Sequence, residues 1–479
     1  MDRTGRPRLI LPLLSLAQLM IVLDFSIVNV ALPSIQSQFE LAPINLQWVV
    51  SAYALTFGGF LLLGGRASDL FNRKKVFLTG LVIFSLASLL GGFAISAEMI
   101  YISRAIQGIG ASILSPSALS LITTTFREGK ERNTALGVFG SMAAIGFTAG
   151  VILGGILTST LSWHWVFFVN VPIGAFVFFA GFELIPDPGK PQQKRGFDVS
   201  GAALITTSLL LVIYAITQSS SPGESPFDLA VLLILSAALA VSFVFVERRA
   251  CLPLVPFDIF RRRSIALSDL IMFLAYAANA VLVFIISLFI QEVRGFSPLE
   301  TGLLFIPAGL GGITGAVLAP RIIGRTGYRV MILIGLLIFG LGVAALSTIS
   351  SISPILLLTV YYYAAAIGIV STIVSLNIAG TTGVALERQG LAAGLLTTSQ
   401  QIGAAIGVSI ASVVITAIAR VSGSTSVILT VESYHAALYA SEGFIVIALI
   451  LAFYLLYRGL SKGDFGIPEK GVAGKPPPT

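Results

Sequence analysis

IVLDFSIVNVALP, residues 21–33, places an aspartate inside a run that is otherwise apolar from Leu9 to Leu32. A charge at mid-membrane costs roughly 2.5–3.5 kcal/mol on insertion scales, so it normally faces a cavity or a partner. What Asp24 is for therefore depends on whether the run crosses a bilayer. Of the 479 residues, 56% are apolar and only 11% charged, and the mean hydropathy of +0.95 is far beyond that of a soluble globular chain. The chain reads as a membrane protein. Its single cysteine, Cys251, excludes an intrachain disulfide, so the fold must be held by packing. The net charge of +7 does not point to nucleic acid, because the basic residues fall in short clusters between apolar runs.

A helix needs about 20 apolar residues to cross the hydrocarbon core. Runs at 9–32, 47–65, 76–96, 99–123, 134–159, 165–185, 200–217, 228–247, 265–290, 299–320, 330–348, 353–379, 391–417 and 438–458 predict fourteen spans. Charge supports the count. With the N-terminus placed in the cytoplasm, all but three of the 29 basic residues fall on the inner side; Arg294 and Arg420 lie outside and Arg104 within a span. Both termini are thus expected in the cytoplasm of a multi-pass plasma (inner) membrane protein. The basic start MDRTGRPR also looks like a secretory signal, but the run behind it is long, contains Asp24 and Asn29, and ends in LPSIQ. It is read as the first helix.

Asp24 and Arg104 are opposite charges in separate spans, which makes them either a structural ion pair or part of a functional site. Glycines give a second signal. GSMAAIGFTAGVILGG (140–155) puts Gly146, Gly150 and Gly154 on one helix face, next to Gly155; Gly403 with Gly407 and Gly311 with Gly315 repeat the device. Small-residue faces are common in polytopic proteins and by themselves show close packing only. The third signal is GRASDLFNRKK (65–75), with Gly65 and Asp69 one turn apart at a span's end, Asn72 in a turn position, and Arg73, Lys74 and Lys75 behind them.

That loop resembles the major facilitator superfamily, whose motif runs Gly-x-x-x-Asp-x-x-Gly-Arg-Lys or Arg. Asn72 replaces the turn glycine, a departure read as mild because Asn tolerates left-handed backbone. LDFSIVNVALPSI (23–35), QWVVSAYAL (47–55), SRAIQGIGAS (103–112), WHWVFFVNVPIG (163–174), APRIIGRTGYR (319–329) and AAGLLTTSQQIGAAIGVSI (392–410) resemble, in order, motifs of its fourteen-helix drug/proton antiporter branch. Two departures stand out. Val151 occupies the proline position of the antiporter motif, and Thr397 and Gln400 stand where Asn and Arg are common.

The resemblance implies an all-α polytopic fold of two six-helix bundles plus two inserted helices. Its divisions are 1–185, the linkers and inserted pair at 186–264, a second bundle at 265–460 and a tail at 461–479. It implies a proton-coupled exporter of amphipathic drugs or metabolites working by alternating access, with substrate near the midplane. No cofactor is expected, since GxxxxGK[ST], HExxH and Cys/His metal clusters are absent and a proton gradient supplies the energy. The expected partners are a small amphipathic organic substrate, protons and membrane lipids, with no nucleic acid and a monomeric state. A proton-coupled importer, and a non-transporting receptor or lipid-handling protein, are the competing readings.

Roles follow residue by residue. Asp24 and Arg104 are assigned to proton coupling, with Asp24 either the group that takes the proton or a fixed hydrogen-bond acceptor beside a switching Arg104, and Gly65, Asp69, Arg73 and Lys74 to a conformational latch. Gly146, Gly150, Gly154, Gly155, Gly403 and Gly407 are assigned to a packing hinge. The cavity candidates are Asp24, Asn29, Gln107, Tyr276, Asn279, Tyr361, Tyr362, Tyr363, Asn377, Thr397, Gln400 and Gln401, an aromatic and amide surface suited to bulky amphipathic compounds. Asp269 is placed at the membrane interface, and His164 and His435 in outer loops.

Overall fold

Backbone in hydrocarbon must satisfy its own N–H and C=O groups, so long apolar runs become helices. The computed structural model describes residues 6–126, 130–186, 199–218, 225–250, 253, 263–382, 384, 386–421 and 430–460. Among the described residues there are fourteen helices of 15 or more residues. These are α1 (Arg6–Phe39), α2 (Trp48–Leu70), α3 (Arg73–Gly92), α4 (Ala97–Thr125), α5 (Lys130–Thr160), α6 (Asn170–Leu184) and α7 (Val199–Gln218), then α8 (Pro226–Arg249), α9 (Arg263–Leu288), α10 (Pro298–Thr326), α11 (Tyr328–Leu346), α12 (Ile355–Thr381), α13 (Leu386–Val421) and α14 (Val431–Leu460). Thirteen are long and apolar enough to cross a membrane, and α7 adds a shorter apolar stretch, 203–216. Short helical turns at Pro43–Leu46 and Trp165–Phe168 precede α2 and α6, and α9 ends in a π-helical turn, Phe289–Val293.

Two connections too tight for hydropathy alone to separate are real breaks. Ser96 caps α4, its hydroxyl accepting from the Met99 N–H at 3.3 Å, and Pro354 precedes the first turn of α12. Asn72 corrects the sequence reading of its loop. Its backbone is extended (φ −63°, ψ 112°), and its side chain caps α3 by accepting from the Lys75 N–H at 3.1 Å. An N-cap needs no left-handed residue, so this asparagine is used for its oxygen.

Helices α1–α6 and α9–α14 pack by the same scheme. In the first set α5 and α6 lie on α1, α4 joins α2 to α3, and α3 meets α6; in the second α13 and α14 lie on α9, α12 joins α10 to α11, and α11 meets α14. The sets meet through α5 on α10 and α2 on α13, pairings that the same correspondence relates. Glycine makes both halves compact. A Cβ on Gly146 or Gly154 would come within 3.0 Å of an α1 carbonyl, and one on Gly150 would collide with Ser26 Oγ and lie 2.7 Å from the Leu23 carbonyl. In the second half Gly403 and Gly407 press on the Phe273 and Ala277 carbonyls of α9.

The face carrying the α3 and α9 N-termini, with Arg73, Lys74, Lys75 and Arg263, is called the basic face here. At the opposite face the halves are sealed. Ser287 donates to the Asn29 carbonyl at 2.6 Å and Gln291 to the Val30 carbonyl at 3.0 Å, linking α9 and its π turn to α1. Gly155 of α5 abuts Leu299 of α10, and the Val151 carbonyl lies 2.5 Å from a Cβ built on Gly302. Val151, where the antiporter motif carries proline, is therefore buried in the seam between the halves. Toward the basic face the same two helices loosen, and nothing lies within 4 Å of a Cβ built on Gly137, Gly140 or Gly324. The α7–α8 hairpin is tied by Ser208 and Ser236, each donating to the other's carbonyl at 2.9 Å, and α7 docks across α2 and α13.

Candidate functional site

At the centre of the first half lies the Asp24 carboxylate, fully buried. Its Oδ2 accepts from Arg104 Nη1 at 2.6 Å; its Oδ1 accepts from Gln107 Nε2 and from Asn170 Nδ2, each at 2.7 Å. The spacing explains the convergence. Arg104 and Gln107 stand three residues apart, on one face of α4, and Arg104 Nη1 also donates to Gln107 Oε1 at 2.8 Å. Arg104 Nε reaches the Val49 carbonyl of α2 at 2.9 Å, and the guanidinium lies 4.2 Å from the Tyr53 ring centroid. Asn170, at the start of α6, also donates to Ser88 Oγ at 3.0 Å, and Ser88 donates to the Phe167 carbonyl. Five helices thus hold one ion pair.

The chemistry open to this arrangement is protonation coupled to movement. Three donors take three of the carboxylate's roughly four lone-pair sites, and a proton on the group removes the charge that strengthens all three contacts. Because these donors belong to α4 and α6, the charge state of Asp24 bears on how α1 sits against both.

Asn170 and Tyr53 carried no role in the sequence reading. Both stand inside stretches singled out there, WHWVFFVNVPIG and QWVVSAYAL, so their place in the pattern was visible while their contacts were not. The Tyr53 ring is fully buried, under the guanidinium.

The cavity candidates separate. On α9, Phe273, Tyr276 and Asn279 are half-buried on a helix whose other residues are mostly buried. Gln400 of α13 donates to Met272 Sδ at 3.4 Å, and Gln401 packs against Gly58 of α2. Three consecutive tyrosines cannot share a helix face. Tyr362 is buried edge-on against Phe305, Tyr363 pairs its hydroxyl with Thr314 at 3.2 Å, and Tyr361 is half-buried. Asn29, Asn377 and Thr397 each donate to the carbonyl one turn back in their own helix.

In the basic loop, Lys74 donates to the Phe182 carbonyl at 2.6 Å with its ammonium over the Phe182 ring, so it ties α3 to α6 within one half. Asp69 falls in the last turn of α2, and its side chain lies outside the described residues. Arg73 opens α3. The close approach in this stretch is made by Gly64, where a Cβ would collide with the Ser112 carbonyl; Gly65 keeps ordinary contact with Pro116. His164 stacks on Trp163 at 3.8 Å, and burial pushes its imidazole below the ordinary histidine range. His435 lies in the first turn of α14, not in a loop, with Nε2 2.9 Å from the Ile349 carbonyl. Asp269, six residues into α9, is only 7% exposed. Among the described residues no group of three or more His, Cys, Asp or Glu side chains could hold a metal ion.

Residues 14–408 match the family model of the Major Facilitator Superfamily. The chain is 34% identical over 451 residues to the puromycin resistance protein pur8 of Streptomyces alboniger, covering 92% of this chain and 89% of that one. It is 35% identical over 420 residues to the cephamycin export protein CmcT of Amycolatopsis lactamdurans, covering 85% of each. In fold it is similar to the crystal structure of a bacterial homolog of the human lysosomal transporter Spinster, with TM-score 0.67, 18% identity, and 97% and 99% of the two chains covered. The chain belongs to the major facilitator superfamily, and it is a multi-pass membrane protein with fourteen transmembrane helices. It is a secondary transporter of small organic molecules.

Proposed function

We propose that this protein exports amphipathic organic molecules in exchange for protons, by alternating access, with Asp24 as the proton-coupling carboxylate. The observation that carries this reading is the set of three donors on one buried carboxylate, Arg104, Gln107 and Asn170. Export is favoured over import by relatives named for puromycin resistance and cephamycin export. The basic face is cytoplasmic, both termini lie there, and the membrane is the plasma membrane. The conformation is inward-open, sealed by the Ser287–Asn29 and Gln291–Val30 contacts on the outer side.

In this cycle a proton reaches Asp24 from outside, loosens Arg104, Gln107 or Asn170, and lets α1 shift against α4 and α6. The two halves then turn about the α5–α10 and α2–α13 contacts, each half held together by its glycine rows, α5 on α1 and α13 on α9, where backbone meets backbone. Gly65, Asp69 and Arg73 close the cytoplasmic side in the outward-open state, with Lys74 anchoring the loop on α6. Half-buried Tyr276, Asn279, Gln400 and Gln401 form the wall met by substrate, with Tyr361, Asn377 and Thr397 beside them.

Inside-out membrane vesicles with an acid interior test this. Lipophilic dyes should accumulate with the parent and fail to accumulate with Asp24→Asn or Arg104→Ala at equal protein levels. Uptake of a metabolite by right-side-out vesicles under an inward proton gradient, with no dye export, would instead establish an importer.

A further inference from the structure

Outside the Asp24 network, the second half holds a carboxylate that the proposed cycle does not use. Asp269 lies six residues into α9 from Arg263, roughly 9 Å along the axis at 1.5 Å per residue. Both of its oxygens are shut off from solvent, and neither has a hydrogen-bond partner. Burying an ionised carboxylate without a partner is costly, of order several kcal/mol, so this site is incomplete as it stands.

Its place in the packing explains how that comes about. The parallel helices α9 and α13 touch at four-residue steps, Ala277 with Gly407 and Phe273 with Gly403. One step further toward the basic face the partners are Asp269 and Ser399, where a hydroxyl replaces glycine. Ser399 stands beside the carboxylate without hydrogen-bond geometry. The Thr398 hydroxyl next to it is also buried and unpaired. Asp269 is not the repeat mate of Asp24: it lies four residues before a carbonyl that meets a glycine, whereas Asp24 directly follows Leu23, whose carbonyl meets Gly150.

At 100° per residue, Asp269, Phe273 and Tyr276 fall within about 60° of one another on α9. Phe273 and Tyr276 are half-buried, as is every residue of α13 from Thr397 to Ile402, so the carboxylate lies beneath side chains that are themselves partly open. A carboxylate flanked by aromatic faces suits an alkyl or aryl ammonium, whose charge pairs with the oxygens while its carbon skeleton lies on the rings. A bare metal ion does not fit, since among the described residues no cluster of carboxylates or histidines gathers there. A proton alone would neutralise Asp269 and leave the aromatic stripe without a use.

We propose that Asp269 is a cation-recognition residue that receives the positively charged nitrogen of organic substrates on the second half, apart from the coupling carboxylate. This rests on the transport reading above and adds the substrate class.

The test uses the purified full chain in lipid nanodiscs, with ethidium as a permanent organic cation and Nile red as a neutral lipophilic probe, both followed by fluorescence. Asp269→Asn should weaken ethidium binding at least tenfold while Nile red affinity stays within twofold, and Asp269→Glu should restore most of the ethidium affinity. Equal loss of both probes would reduce Asp269 to a packing role and overturn the proposal. So would unchanged ethidium binding, or a parent that binds Nile red alone. A parent that binds neither probe, and exports no dye in the vesicle assay, would bring down the transport reading itself.

Discussion

Asn170 donates to Asp24 Oδ1 at 2.7 Å, so the first residue of α6 shares an oxygen with Gln107 of α4 and completes the shell around the one carboxylate near the middle of α1. A hydrogen bond to a charged group contributes about 1.5–3 kcal/mol. Asn170→Ala should therefore reduce proton-driven dye accumulation by about tenfold or more with protein levels unchanged, while Asp24→Asn abolishes it. Vesicle transport measured side by side checks the ranking. Full activity in Asn170→Ala would remove this residue from the coupling network.

Arg104 is anchored by Asp24, Gln107 and the Val49 carbonyl, all buried. Removing one partner of a buried pair leaves a charge without compensation, at a cost of about 3–5 kcal/mol. Arg104→Ala should lower the melting temperature in detergent markedly, and the double change Arg104→Ala with Asp24→Asn should recover part of the loss. A double variant less stable than the single one would show that the two charges do not compensate each other.

Gly150 meets Ser26 and the Leu23 carbonyl, whereas Gly137 on the same helix faces open space. Overpacking costs about 1–3 kcal/mol. Gly150→Ala should reduce thermal stability and transport together, and Gly137→Ala should leave both near the parent value. Stability and transport assays on the two variants decide this.

On the proposed topology, the seal made by Ser287 on Asn29 and Gln291 on Val30 should bias the protein toward the inward-open state. Losing both bonds, together worth about 1–2 kcal/mol, shifts a two-state balance by about five- to thirtyfold. In a Cys251→Ser background, a cysteine placed at buried Thr301 near the outer end of α10 should be labelled correspondingly faster from outside when Ser287→Ala and Gln291→Leu are combined. An unchanged labelling rate would mean that these contacts do not set the equilibrium.

Much of the architecture was legible in the sequence, because hydrocarbon leaves backbone few choices. Apolar length and basic clusters marked all fourteen helices, and the i, i+4 glycines of α5 marked the face that α1 presses against. Asp24 and Arg104 stood out as charges in apolar runs, Gln107 came with the SRAIQGIGAS stretch as a cavity candidate, and the three are joined in the structure. Asn170 did not stand out, since an asparagine near a span's end is also an ordinary loop residue; only the approach of α6 to α1 and α3 reveals its partners. Periodicity likewise says nothing of which helix a face meets. That is why the burial of Tyr362 against Phe305 and of Asp269 against α13 is seen only in the structure.

The central claim, that Asp24 carries the exchanged proton, is tested most directly by substrate-induced proton release. Purified protein in weakly buffered detergent, with a pH-indicator dye, is mixed with an exported dye from the vesicle assay. The parent should release protons into the medium on substrate addition, and Asp24→Asn should release none while still binding the dye. Release from Asp24→Asn equal to that of the parent would place the exchanged proton elsewhere and contradict the account.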